Sequence, residues 1–328
     1  MNRRETLKAG LASIAAASAG WPTIGHAAAS DWPTKSSRVV VPYAAGSATD
    51  LVPRTVFEQV GQQVGQSFVV ENRPGGGTAI GSAQVKQSDP DGHTILIHSN
   101  AIVTVPAIQA NVPYDPVKDF SGLTPLGNVP LVLVIAPSKG IKTIKELVAK
   151  ARAKPGALNY GAAGIGTPPH LTMERFRLAA GFEGQLVPFK GAPEALTEVM
   201  TGRIDIYFCP ITPALPLIRD GKVLALAVSS SKRASALPDV PTTIEAGVPD
   251  SDFDFWVGAF VPKKTPRDVV AKMHSEIVKA INNPATKEKL ATLGVEQMIM
   301  TPDAFDARIA KEAELAKTLA KAAKIEMQ

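Results

Sequence analysis

The chain is predicted to be an α/β protein of two domains with a ligand cleft between them. Three observations carry that prediction. Strand-like and helix-like segments alternate almost throughout, small-residue loops follow two of the strands, and two α/β blocks are followed by a helical tail with little sheet of its own. The first strand is the β-branched run at 38–41. A helix over 50–64 follows, because Val52, Val56, Val60 and Val64 recur every fourth residue and share one face. A strand at 67–71 (SFVVE), a Gly-rich turn at 74–77, a helix near 78–87 and a turn at 89–92 lead into a strand at 94–97. That β-α-β-α-β order implies a parallel sheet with right-handed crossovers.

The middle of the chain repeats the theme, with strands at 131–136, 158–161, 185–189, 204–208 and 223–229 and helices at 144–153, 168–180 and 193–201. After 253–261 the chain turns helical, at 266–282 and again at 302–324. Such a tail is most easily placed against the first block. Domain 1 is therefore expected to hold 30–130 plus 255–328, and domain 2 to hold 131–254. Two crossings, near 125–135 and 250–260, would join them, and a ligand would sit between them at the carboxyl ends of the strands.

Residues 1–29 read as an export signal. Arg3, Arg4 and Lys8 form a positive start, a small apolar stretch runs over 9–20, and Ala27-Ala28-Ala29 gives an A-x-A cleavage site, so cleavage is expected near Ala29. The spacing RRETLK suits the twin-arginine variant. An apolar stretch of about a dozen residues falls short of the ~20 that span a bilayer. Removing it takes away three basic residues and one acidic residue, so the net charge of +5 falls to +3. That mild, scattered charge, with aromatics at only 5%, gives poor support for nucleic-acid binding. Cys209 is the single cysteine, so no intramolecular disulfide is possible, and within 204–209 it reads as the end of a buried strand.

Two loops carry the chemistry. The first, PYAAGSATD at 42–50, lies between a strand and a helix, where free N–H groups and small residues suit an anion. Ser47 and Thr49 add hydroxyls, Tyr43 a wall with a polar tip, and Ala45, Gly46 and Ala48 room for close approach. Asp50 is either the helix N-cap or a ligand contact. The second loop, GAAGIGT at 161–167, precedes Pro168 and Pro169. Thr167 fits the N-cap and Pro168 the first helical position, while Gly164, Ile165 and Gly166 form the small-residue approach. His170 either reaches the cleft or packs beneath the loop. Lys190 ends a strand at the sheet edge, to meet an anion or solvent. His98, Ser99 and Asn100 follow the third strand and are expected along the same cleft. Trp256 is placed either to stack on a flat ligand or to fill the core.

Enzyme motifs are sparse. Neither glycine loop has G-x-G-x-x-G spacing, and there is no P-loop, G-x-S-x-G or H-E-x-x-H. The five histidines are dispersed, so no metal site and no triad is read, and no cofactor is expected. The competing enzyme reading is an exported serine hydrolase acting on a small ester, with Ser47 or Ser99 paired to His98 or His170. A third reading is a sensor that reports its ligand to a regulator.

Taken in order, VVVPYAAGSATD, VVENRPGGGTAIGSAQVKQSDPDGHTILI, VPYDPVKDF, NYGAAGIGTPPHL, VPFKGAPEALTEVMTGRIDIYF and LPDVPTTIEAG resemble the tripartite tricarboxylate transporter receptors, the Bug family of periplasmic solute-binding proteins. The likeness runs from about Val39 to the C-terminus. It implies a two-domain, type II Venus-flytrap fold and a monomeric periplasmic receptor. Such a receptor captures an organic carboxylate (a di- or tricarboxylate, or an aromatic one) for a membrane permease. It also implies that Tyr43, Ala45, Gly46, Ser47, Ala48, Thr49 and Asp50 from one loop, and Gly164, Ile165, Gly166 and Thr167 from the other, hold that ligand. Two departures touch the pocket. Gly46-Ser47-Ala48 stands where relatives commonly have two glycines, and His98-Ser99-Asn100-Ala101 replaces a Ser/Gly-rich run.

Overall fold

The computed structural model describes residues 31–322; the export signal read at 1–29 lies outside the described residues. The chain builds two five-stranded sheets. The first contains β1 (Ser37–Val41), β2 (Phe68–Asn72), β3 (Thr94–Ser99), β4 (Phe120–Asn128) and β10 (Trp256–Pro262), in the order β2-β1-β3-β10-β4. The second contains β5 (Leu131–Ile135), β6 (Leu158–Ala162), β7 (Gly184–Pro188), β8 (Ile206–Pro210) and β9 (Leu224–Val228), in the order β7-β6-β8-β5-β9. The helices are α1 (Ala48–Val64), α2 (Ala79–Lys86), α3 (Ala101–Ile108), α4 (Ile144–Ala153), α5 (Pro168–Ala180), α6 (Ala192–Met200), α7 (Ile211–Arg219), α8 (Arg267–Asn282), α9 (Pro284–Thr292) and α10 (Pro302–Ala322).

Both sheets are mixed: the parallel order expected over 38–97 holds, and antiparallel strands join each sheet. β1 runs parallel to β2 and β3, and β6 runs parallel to β7 and β8. β10 is antiparallel to β3 and β4, and β5 is antiparallel to β8 and β9. The physical reason lies in the crossings. The chain leaves the first sheet at Asn128 and enters the second at Leu131; it returns from β9 to β10. Each crossing therefore delivers its first strand head-on into the other sheet, where only an antiparallel ladder fits.

Strand composition follows position. The central strands β5, β8 and β10 are buried along their whole length, so they read as continuous apolar runs with no alternation. In β1, Val39 and Val41 join the main core beside α1, while Val40 points to the opposite face with Leu96, Phe260 and Phe305. The helical tail does pack on the first sheet. Gln63 of α1 bonds the Glu276 carbonyl of α8 at 2.9 Å, and Phe305 of α10 stacks on Trp256 and Phe260 at 5.2 and 5.1 Å. Trp256 is wholly buried there, with Nε1 donating to Glu312 at 3.1 Å. It is thus a core residue and not a stacking platform. Cys209 is likewise buried in β8.

Candidate functional site

Each small-residue loop connects a central strand to a helix, and the two are built alike. Gly46 and Gly166 take φ of +78° and +81°, the left-handed region that favours glycine. The next residue, Ser47 or Thr167, is the extended N-cap of α1 or α5. In both loops that hydroxyl donates backwards to the carbonyl three residues earlier, Ser47 Oγ to Ala44 and Thr167 Oγ1 to Gly164, each at 2.7 Å. In both, the glycine N–H donates to the side chain four residues on: Gly46 to Asp50 Oδ2 at 2.8 Å, and Gly166 to His170 Nδ1 at 3.1 Å. The common pattern is Gly-[Ser/Thr]-x-x-acceptor, written as GSATD and GTPPH.

This arrangement has an electrostatic consequence. An N-cap hydroxyl ordinarily accepts a first-turn N–H, but here it is turned away to a carbonyl. The amides of Ala48 and Thr49 are left with no acceptor among the described residues. In α5 the same two positions are Pro168 and Pro169, which bring no N–H. The two loops therefore differ in chemistry: the first presents donors, the second a stiff apolar wall.

The structure brings them together. Tyr43, Ser47, Ala48 and Thr49 line one small cavity with Ala163, Pro168, Pro169, Ala192, Pro210 and Phe255. The α6 and α7 N-termini, at Ala192 and Pro210, thus join those of α1 and α5 around one space. Four positive helix ends converge there, with no charged side chain among the lining residues. The cavity is about 20 Å³, room for a water molecule or so. It is small because the lobes are closed onto each other. Thr104 Oγ1 of α3 donates to the Gly166 carbonyl at 2.6 Å, and Gln109 Nε2 donates to the Ile165 carbonyl at 2.9 Å. A Cβ on Gly166 would lie 2.8 Å from Ile108 Cδ1, and one on Gly191 would lie 2.7 Å from the Ala44 Cβ.

Other expected residues sit around the cavity instead of on it. Asp50 occupies the third helical position, not the N-cap. Only 2% exposed, it accepts from Gly46, Arg54 and Asn72 and so tightens the loop from below. His170 packs beneath its own loop as the Gly166 acceptor. Burial lowers its pKa against the opposing pull of Glu174. Ser99 is buried behind Tyr43, with Oγ 2.7 Å from the phenol oxygen and accepting from the Ala101 N–H. Burial raises the Tyr43 pKa, so the phenol stays protonated. His98 is buried edge-on to Tyr43, and desolvation pushes its pKa down to about 3. Asn100 lines a separate, larger cavity and donates to the Asp254 carbonyl at 2.9 Å. Lys190 is exposed, and only its backbone N–H is engaged, with Glu194. Ala45, Gly46, Gly164, Ile165, Gly166 and Thr167 shape the loops without lining the cavity.

Among the described residues neither the Ser47 nor the Ser99 hydroxyl pairs with His98 or His170; the Ser37–His93 contact at 3.0 Å lies outside the loops. Ser47 Oγ meets Ala44 O and the Thr49 hydroxyl, Ser99 Oγ meets Tyr43, and the His98 Nδ1 bond goes to the Ser99 carbonyl. Ala163, Pro168, Pro169, Ala192, Pro210 and Phe255 were not expected as site residues. Their apolar side chains carry no chemical flag, and although Ala163, Pro168 and Pro169 belong to the second loop and its helix start, Ala192, Pro210 and Phe255 come from distant loops.

The family model described as tripartite tricarboxylate transporter family receptor matches residues 52–325. The chain belongs to that family. Among the receptor's relatives, a UPF0065 protein of Pseudomonas sp. (strain P51) is 36% identical over 266 residues, 81% of this chain and 79% of the relative. A solved R. palustris protein with adipate superposes with a TM-score of 0.88 at 29% identity, covering 91% of this chain and all of that one. The periplasmic binding protein BugD superposes at 0.85 with 31% identity, covering 90% of this chain and all of that one. The receptor has the two-domain, type II periplasmic-binding fold of these neighbours, with a cleft between its lobes.

Proposed function

We propose that this receptor works in the periplasm, capturing an organic carboxylate between its lobes and presenting it to a membrane permease of the tripartite tricarboxylate type. It performs no chemistry on its ligand. One observation carries the reading: a cavity where four helix N-termini converge, with two unclaimed amides and no charged side chain on its walls. Once the lobes part enough to admit it, a carboxylate accepts from the Ala48 and Thr49 amides, and its body lies against Pro168, Pro169, Pro210 and Phe255. The adipate in the R. palustris neighbour is in keeping with such a ligand.

The working domains are 30–130 plus 255–328 and 131–254, swinging about the two crossings. The chain acts as a monomer after cleavage near Ala29. Tyr43, Ser47, Ala48 and Thr49 touch the ligand. Asp50, Ser99 and His170 hold the loops in shape, and Gly164, Ile165, Gly166 and Thr167 form the closing surface. Isothermal titration against a panel of dicarboxylates, tricarboxylates and aromatic carboxylates tests this. We expect one acid to bind 1:1 with a rise in melting temperature. A panel with no thermal shift, or turnover of a chromogenic ester that is lost in Ser47→Ala or Ser99→Ala, overturns it.

A further inference from the structure

A second cavity, of about 410 Å³, shares no lining residue with the small one, although Thr104 and Ile108 on its wall also meet Gly166 of the second loop. Its walls come from both lobes: Val103 and Ile108 of α3, Leu171 and Leu178 of α5, and Leu315 and Ala316 of α10. The volume falls within the range of small-molecule sites, and the walls are apolar with a few polar groups, as such sites require. Leu178 and Leu315 are 54% and 51% exposed. They are two of six large apolar side chains in that state among the described residues, and both edge this one cavity.

The polar groups decide what kind of occupant fits. Both arginines on the wall are already committed, Arg308 to Glu312 at 2.6 Å and Arg175 to Asp252 and the Asp250 carbonyl. Glu174 is held by Arg177 and Tyr160. What remains uncommitted is acceptor capacity. The carboxylate of Asp254, an exposed residue at the rim, pairs with no cation among the described residues, and the buried Asn100 Oδ1 accepts no hydrogen bond. The two residues adjoin, since Asn100 Nδ2 donates to the Asp254 carbonyl. We infer that this cavity binds an amphipathic ammonium compound. Its apolar body lies along α3, α5 and α10, and its N–H donors meet Asp254 and Asn100. Such an occupant touches both lobes, so it binds the closed form best and is positively coupled to whatever closes the cleft.

Isothermal titration of the protein with n-hexylamine (protonated at neutral pH), hexanol and hexanoate tests the inference. Hexylammonium is expected to bind 1:1, hexanol about tenfold more weakly, and hexanoate not at this cavity, so that Ala316→Phe leaves any hexanoate binding unchanged. Asp254→Asn brings hexylammonium down to the level of hexanol, and Ala316→Phe abolishes both by filling the space. Leu315→Gln, at a half-exposed position that leaves the fold intact, weakens both if Ala316→Phe proves unstable. Hexanoate binding that Ala316→Phe abolishes overturns the inference, since the carboxylate site does not include Ala316. So does saturable binding indifferent to Asp254→Asn and Leu315→Gln, or no saturable binding of any of the three.

Discussion

Replacing Thr104 with Val removes the hydroxyl that α3 lends to the opposite lobe while keeping the shape of the side chain. In the closed form the Gly166 carbonyl is buried and takes its 2.6 Å bond from Thr104 Oγ1. Without that donor the carbonyl stays desolvated and unpaired, which costs about 1–3 kcal/mol. In an opened cleft it regains water, so the penalty falls on the closed form alone. If binding requires closure, the whole penalty enters the dissociation constant. Thr104→Val should then weaken the captured carboxylate by about 5- to 150-fold. Gln109→Ala removes a less buried bond to Ile165 and should weaken it by about 2- to 12-fold. Neither residue lines the small cavity, so the 1:1 stoichiometry stays and the melting temperature of the free protein barely moves. Calorimetry gives the affinities, and small-angle scattering of the loaded protein gives the fraction open. An affinity unchanged within twofold in the double variant would refute the idea that these two bonds latch the lobes.

The remaining predictions concern the loop glycine and a buried histidine. Gly166→Ala meets two obstacles, a left-handed φ of +81° and an approach of 2.8 Å to Ile108 Cδ1. Calorimetry should show binding largely lost, with Ile108→Ala restoring part of it by removing the clash but not the strain; no rescue would mean that lobe contact is not the obstacle. His98 has a folded-state pKa near 3 against 6.5 in the free side chain, because burial disfavours its cation. Between those values the unfolded chain binds a proton that the folded chain refuses. Stability therefore falls as pH drops from 6.5 towards 3, by up to about 1.4 kcal/mol per unit, and levels off below. His98→Leu should flatten that slope by one proton in urea unfolding at several pH values. An identical slope in the variant would mean that His98 is not the group responsible.

Much of this molecule was legible in its sequence, and the rest was hidden for definite reasons. The helices at 144–153 and 168–180 stand where their periodicity and caps put them, because Thr143 and Thr167 mark their starts and small or charged residues their exposed faces. α3 was hidden because AIVTVPAI is apolar on every side, so no period stands out. α7 was hidden by Pro213 and Pro216, which read as loop residues. The antiparallel direction of β5 and β10 is set by the crossings and leaves no mark on their own residues.

The site divides in the same way. Tyr43, Ser47, Ala48 and Thr49 were readable because one short segment carries strand, loop and helix start together. Ala192, Pro210 and Phe255 were not, since three distant loops supply them and apolar residues signal nothing locally. Asp50 and His170 were visible as polar residues near the loops. Only the structure distinguishes a group that props a loop from one that faces the cavity.

Amide chemical shifts test the proposed anion-holding groups most directly. In a ¹H–¹⁵N titration with the carboxylate that binds, the Ala48 and Thr49 amide protons should move furthest downfield, together with signals from 163–170 and Ala192 of the opposite lobe. If the largest shifts fall elsewhere and Ala48 and Thr49 stay still at saturation, helix-end amides are not what grips the ligand.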